Sequence, residues 1–191
     1  MTLIEALMVT ALAGMMLAVS VPALSSLREQ GRTAAGARVL ATELHRMRWE
    51  SVARRRAAGL WFVRGSAGWE WHVVEDGNGN GLRTAELASG VDVKISGPHR
   101  LQTMVESVRL GFPPGGPFPE IPPGTGTLAG TDDPVRFGRS DLIAFSPLGR
   151  SSSGTLYVTD GGRGLFAIVL FGPSTRLRVW RYDPQGAKWT L

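Results

Sequence analysis

Three patterns of apolar and polar positions succeed one another along the chain. From Ala6 to Leu27 no residue is charged; the run ALMVTALAGMMLAVSVPALSSL is interrupted by polar Thr10 and Ser20. A helix of that length, at about 1.5 Å per residue, reaches roughly 33 Å and covers a bilayer's hydrocarbon core. Next, Ala37, Leu40, Leu44, Met47 and Ser51 recur at spacings of three and four, with Arg38, Glu43, Arg46, Arg48 and Glu50 largely off that stripe. This spacing predicts an amphipathic continuation of the same helix. One helix from near residue 2 to about Arg56 is therefore expected, its first half in a membrane and its second half packed on a head. The run Arg54-Arg55-Arg56 and then Gly59 suit its C-terminus, where cations meet the dipole and glycine releases the chain.

Beyond Gly59 the period changes to two. GLWFVR and WEWHVVE flank a GSAG turn and read as a β-hairpin. VDVKI, ESVRL, DLIAF, TLYVT, LFAIVLF and RLRVWRY supply further strands, and no second helical pattern intervenes. The expected class is α+β, a long N-terminal helix packed on an antiparallel β-sandwich or paired sheets. The divisions are residues 1–27, the membrane-spanning half of the helix; 28–57, its amphipathic half; and 58–191, a β-rich head. Within the head, residues 111–139 are dense in proline and glycine and are expected to form an exposed, mobile loop.

Charge sharpens the picture. All 21 lysines and arginines of this 191-residue chain lie at or beyond Arg28, whereas one of the 16 acids is Glu5, at the edge of the apolar run. The rest is more basic than the net +5 of the whole, which favours anionic partners. A cleavable secretory signal would need a basic start and a shorter core. A buried core helix is the other alternative to a span. Arg28 and Arg32 would draw the C-terminal side of a span inward, an orientation that a removed basic leader would reverse. Glu5 is costly at a lipid boundary without a counter-charge, and the nearest cation is an α-amino group at residue 1, its own or a neighbouring copy's. There is no cysteine, which excludes disulfides, thiol catalysis and cysteine-bound zinc.

Few residues suggest chemistry. In DGNGNGLRTAEL, Asp76, Asn78, Asn80 and Gly81 match the start of a calcium loop, but the acid at its end, Glu86, is one position early. An Asx- and Gly-rich turn accounts for the same residues. His45, His72 and His99 show no metal-ligand spacing, and Ser151-Ser152-Ser153 lacks a nucleophile-elbow context. Neither catalysis nor a cofactor is expected. Near the end, Arg176 and Arg178 share one strand face, while Val179 and Arg181 share the other. Arginines beside Trp180, Tyr182 and Trp189 suit nucleic acid, or an edge strand guarded by charge.

The opening MTLIEALMVTALAGMMLAVSVPAL resembles the N-terminus of mature type IV pilins and type II secretion pseudopilins, with Thr2, Leu3, Ile4, Glu5 and Pro22 in register. Met1 stands where that family prefers Phe. The resemblance implies a pilin-like fold, a prepilin peptidase that cuts before Met1 and methylates its amine, and a Glu5 that pairs with the amine of an adjacent subunit. Met1, Glu5 and Pro22 are then assembly residues. VVEDGNGNGLRTAEL, IAFSPLGRSSSGTLYV and RLRVWR resemble the GspH/FimT branch. In FimT-like members a Gly-Arg-x-Arg motif contacts DNA; Arg176 and Arg178 align with its arginines, Thr175 stands for the glycine, and Arg181 follows. The expected role is a minor pseudopilin or pilin subunit anchored in the inner membrane with a periplasmic head. Its partners would be other pilins and the prepilin peptidase. The rivals are a DNA-receptor pilin and an unrelated single-span protein with a binding head.

Overall fold

The computed structural model describes residues 2–191, and for 17–30 the backbone alone. Helix α1 runs Leu3–Arg54. Its stripe is the expected one: Ala37, Leu40, Leu44, Met47 and Ser51 are buried, and Thr33 extends the stripe by one turn. The helix ends through Arg55, which adopts the left-handed region (φ 53°) and donates its N–H back to Ser51 and Val52. Gly59 does not release the chain. It lies within β1 (Ala58–Gly65), where a Cβ would collide with the Ile143 carbonyl oxygen of a neighbouring strand. Glycine there permits close strand approach, which the sequence pattern alone does not distinguish from a cap.

The strands follow the period-two segments. β1 pairs with β2 (Gly68–Glu75) in full register from Ala58↔Glu75 to Gly65↔Gly68. Two short helices are new, α2 (Thr84–Ser89) and α3 (Leu101–Met104), on either side of β3 (Val93–His99). At six and four residues they are too short to show an apolar period. Next come β4 (Arg109–Leu110), β5 (Val135–Arg136), β6 (Leu142–Phe145) and β7 (Gly154–Thr159). The chain ends with β8 (Leu165–Phe171), β9 (Arg176–Asp183) and β10 (Lys188–Thr190). One antiparallel sheet has the order β3-β2-β1-β6; the other has β10-β9-β8-β7-β4, with β5 also on β7. The molecule is α+β, an N-terminal helix with antiparallel sheets. Among the described residues no helix is long and apolar enough to cross a membrane.

Both sheets meet the helix in one core. Leu40, Leu44 and Met47 pack with Leu60, Phe62 and Trp71 of the first sheet and with Val158, Ile168 and Leu170 of the second. The three serines before β7 splice the sheets together. Ser152 Oγ accepts the Ala144 N–H at 3.1 Å and donates to the Leu142 carbonyl at 3.3 Å, while Ser153 Oγ accepts the Gly172 N–H at 2.9 Å.

Most of the stretch 111–139 is exposed and irregular, as its composition leads one to expect, but apolar anchors tie it down. It lies across the outer face of the second sheet, where Phe118 packs against Tyr157, Trp180 and Trp189. Trp189 Nε1 donates to the Pro119 carbonyl at 2.8 Å, and Val135 and Phe137 are buried in the main core. A few apolar anchors among many prolines and glycines suffice to fix it, and no periodicity announces them.

Two outcomes test this packing. Gly59→Ala should lower the midpoint of urea unfolding by an amount equivalent to about 1–3 kcal/mol, since β1 and β6 must part to admit the methyl group. Burial pushes the Tyr157 phenol up from 10.0 to about 12, against the opposing pull of Arg136. Its neutral form is favoured by the fold, so its contribution to stability is complete below about pH 10 and is lost as pH rises towards about 12. Phenolate absorbance should show Tyr157 ionising within that window, accompanied by falling stability.

Candidate functional site

The N-terminal turn solves its own hydrogen-bonding problem. Thr2 is extended (φ −86°, ψ 155°), and its hydroxyl accepts the Glu5 N–H at 3.4 Å. In return the Glu5 carboxylate accepts the Thr2 N–H at 2.8 Å, completing a capping box. The acid at the head of the apolar run thus has a partner inside the chain. Thr10 likewise turns its hydroxyl back to the Ala6 and Leu7 carbonyls at 3.0 Å. From Thr2 to Met16 every residue is exposed, including Leu3, Ile4, Leu7, Met8, Val9, Leu12 and Met15. Met1 lies outside the described residues, and so does the side chain of Pro22.

The C-terminal arginines divide between two places. The turn from β8 to β9 closes with Thr175 at φ 50°, buried, its N–H on the Gly172 carbonyl at 3.4 Å. Its hydroxyl donates to the Ser174 carbonyl at 2.7 Å. Thr175 therefore occupies the left-handed region that glycine favours, although it carries a β-branched side chain. The register then pairs Phe171 with Arg176, Val169 with Arg178 and Ala167 with Trp180. Arg176 and Arg178 project together into a groove of about 330 Å³ floored by Val169, Phe171 and Trp180 and walled by Pro122 and Pro123. Arg181 is not part of it. It lies on the opposite face, in a separate recess with Asp160, Arg163 and Asp183.

The aromatic partners also change. Trp180, Trp189 and Tyr182 pack into the second core, with Tyr182 and Trp189 ring centroids 5.3 Å apart. The exposed aromatic ring beside the two arginines is Phe171, at 57% exposure. Sequence reasoning missed it because Phe171 belongs to the preceding strand. Counting outward from the four-residue turn Gly172–Thr175 would have placed it opposite Arg176.

The DGNGNG segment is a turn whose acids point inward. Asp76 is buried; one carboxylate oxygen accepts the N–H groups of Asn78 (3.1 Å) and Gly79 (2.7 Å), the other that of Gly81 (2.7 Å). Asp92, also buried, accepts from Gly77 and Arg83. The side-chain amides of Asn78 and Asn80 donate to the two oxygens of Glu86 at 2.9 and 2.8 Å. The oxygens of Asp76 and Glu86 are already engaged by donors, which is the arrangement of an Asx turn. Among the described residues no group of His, Asp and Glu could hold a metal ion.

The histidines are apart in role. His45 is exposed on α1, His72 packs on Trp61 at 6.0 Å between centroids, and His99 packs on Trp71 at 5.9 Å. Burial, and then the Lys94 ammonium, lower the His72 pKa from its usual 6.5, which favours the neutral ring. Comparisons with protein-family models, with curated proteins and with solved structures found no match to this chain.

Proposed function

We propose that the chain is a membrane-anchored minor pilin-like subunit, a structural component of a type II secretion pseudopilus or type IV pilus. The observation that carries this reading is the run from Leu3 to Met16, exposed throughout and apolar apart from Thr10 and the carboxylate of Glu5 near its start. Such a surface needs lipid, or the equivalent helices of other copies, to cover it. The first half of α1 anchors the subunit in the inner membrane before assembly and packs in the filament afterwards, with the head on the periplasmic side. A prepilin peptidase processes and methylates the chain at Met1, and the Glu5 carboxylate takes the amine of an adjacent subunit as a second partner. Burying both charges is favourable only as a pair, so Glu5 acts as an assembly register.

A second reading is supported by the groove at the β8–β9 turn. Thr175 supplies the positive φ at the position of the motif's glycine, and Arg176 and Arg178 enter one concave site with the exposed Phe171 ring. Two guanidinium groups and a ring suit the phosphates and a base of single-stranded DNA. The Arg181 side chain, on the other face, has no part in this site.

Glu5 substitutions separate an assembly role from a capping role. Glu5→Gln keeps an acceptor at the third helical position and so preserves the cap, but removes the charge. Both Glu5→Gln and Glu5→Val are expected to insert in membranes and fail to enter filaments, scored by membrane fractionation and sheared-filament recovery. Filament entry by Glu5→Gln at the normal level would reduce Glu5 to a helix cap. For the second reading, reversing Arg176 and Arg178 to Glu should abolish binding of a single-stranded oligonucleotide. Arg176→Gln alone should lower the slope of log affinity against log salt by about 0.7. An unchanged slope would remove DNA from the account.

A further inference from the structure

We propose that the end of the head from which α1 departs is a docking surface for anionic phospholipid headgroups. The inference rests on the reading that the apolar half of α1 lies in a membrane. Thr33, fully buried, marks where the helix enters the head: its hydroxyl donates to Asp160 in the β7–β8 turn at 2.9 Å. It stands six positions beyond Leu27, the last of the uncharged run, a rise of about 9 Å. That places the β7–β8 turn at headgroup depth.

Cations gather at this level. Arg32, half exposed, lies 3.7 Å from the more exposed Glu106. The exposed Arg109 side chain reaches across the same turn, its guanidinium 3.2 Å from where a Cβ on Gly161 would sit. Arg163, within the turn, and Arg181 line one recess of about 310 Å³. The Lys188 stem lies against Gly186 at its rim.

The acids at this end are largely engaged. Asp160 accepts the Thr33 hydroxyl and the N–H groups of Gly162 (2.7 Å) and Gly164 (3.1 Å), and Asp183 accepts the Gln185 N–H at 3.0 Å. Among the described residues, the cations Arg32, Arg109, Arg163, Arg181 and Lys188 outnumber the carboxylates Glu106, Asp160, Asp183 and Asp132, the last of which lines a pocket with Arg109, around the exit of the helix. Guanidinium groups suit lipid phosphate because they donate two parallel hydrogen bonds. Basic residues beside a membrane segment are drawn to an anionic leaflet within a Debye length. Docking would seat the head flat on the bilayer and fix its tilt relative to α1.

The chain has no cysteine, so a single introduced thiol reports one place. Full-length Gln185→Cys, carrying a donor fluorophore, is reconstituted into vesicles with a headgroup-linked acceptor. The two compositions are phosphatidylcholine alone and phosphatidylcholine with about 30% phosphatidylglycerol. Energy transfer should rise about twofold in the anionic vesicles and return to the neutral-lipid value at about 1 M salt, where the Debye length is about 3 Å. A label at Leu148→Cys, beside Arg55 at the far end of the head, should not respond to composition. Arg109→Gln with Arg163→Gln should remove most of the rise at Gln185. Equal transfer in both compositions, with the chain resisting alkaline carbonate, would overturn this inference and leave the membrane reading intact. Release of the chain by carbonate would overturn both.

Discussion

The structure depends on one helix serving two surroundings. From Thr33 to Ser51 a narrow stripe of α1 is buried under two sheets at once, whereas from Thr2 to Met16 every residue of the helix is exposed. A continuous backbone joins these halves, since α1 is helical from Leu3 to Arg54. A helix carries bending and rotation along its axis with little loss, because each turn is hydrogen-bonded to the next. Wherever the apolar half is held, the azimuth of the head is held with it. Leu40, Leu44 and Met47 clamp that azimuth by engaging both sheets, and Thr33 pins the exit through Asp160.

The second sheet shows how a basic groove is kept open in a sheet protein. Its outer face is covered by the 111–139 stretch, which withdraws Trp180 and Trp189 into a packed cluster. The cover stops at Pro122 and Pro123, and beyond them Arg176, Arg178 and Phe171 remain accessible. Prolines suit such an edge because they lack the N–H that would otherwise pair with the neighbouring strand. The groove is therefore shaped by a segment far from the arginines in sequence, and by a threonine held at φ 50°.

What could be read in the sequence follows from which forces leave a period. The helical stripe and the β1–β2 hairpin were legible because burial repeats every three to four residues in one and every two in the other. Gly59 was misread because a cap and a close strand crossing ask the same thing of a residue, the absence of a side chain. The loop over the second sheet is legible as loop, but its anchors are not, because Phe118, Val135 and Phe137 are solitary and without spacing. Phe171 was missed for a different reason: its proximity to Arg176 is a property of register, which strand composition leaves open. The separation of Arg181 from Arg176 and Arg178 was legible, since strand alternation alone assigns their faces. Membership of Trp180 and Trp189 in a core was not, because it required knowing what lay over that face.

The carboxylates of this chain fall into two physical classes, and the difference bears on Glu5. A carboxylate offers about four acceptor positions. Asp76 fills three of them with backbone N–H groups and Asp160 three with a hydroxyl and two N–H groups, and both hold local turns rigid. Glu5, among the described residues, accepts one N–H, that of Thr2, in an exposed setting. In water the remaining positions are satisfied by solvent at no cost. Once lipid or other helices exclude that solvent, the same positions become the most expensive unsatisfied acceptors on the apolar half of α1. A cation arriving from outside the chain relieves that cost, and the Thr2 bond need not break for it to do so. The capping box and an intermolecular ion pair are therefore compatible, the first shaping the helix start and the second becoming favourable only where water is removed.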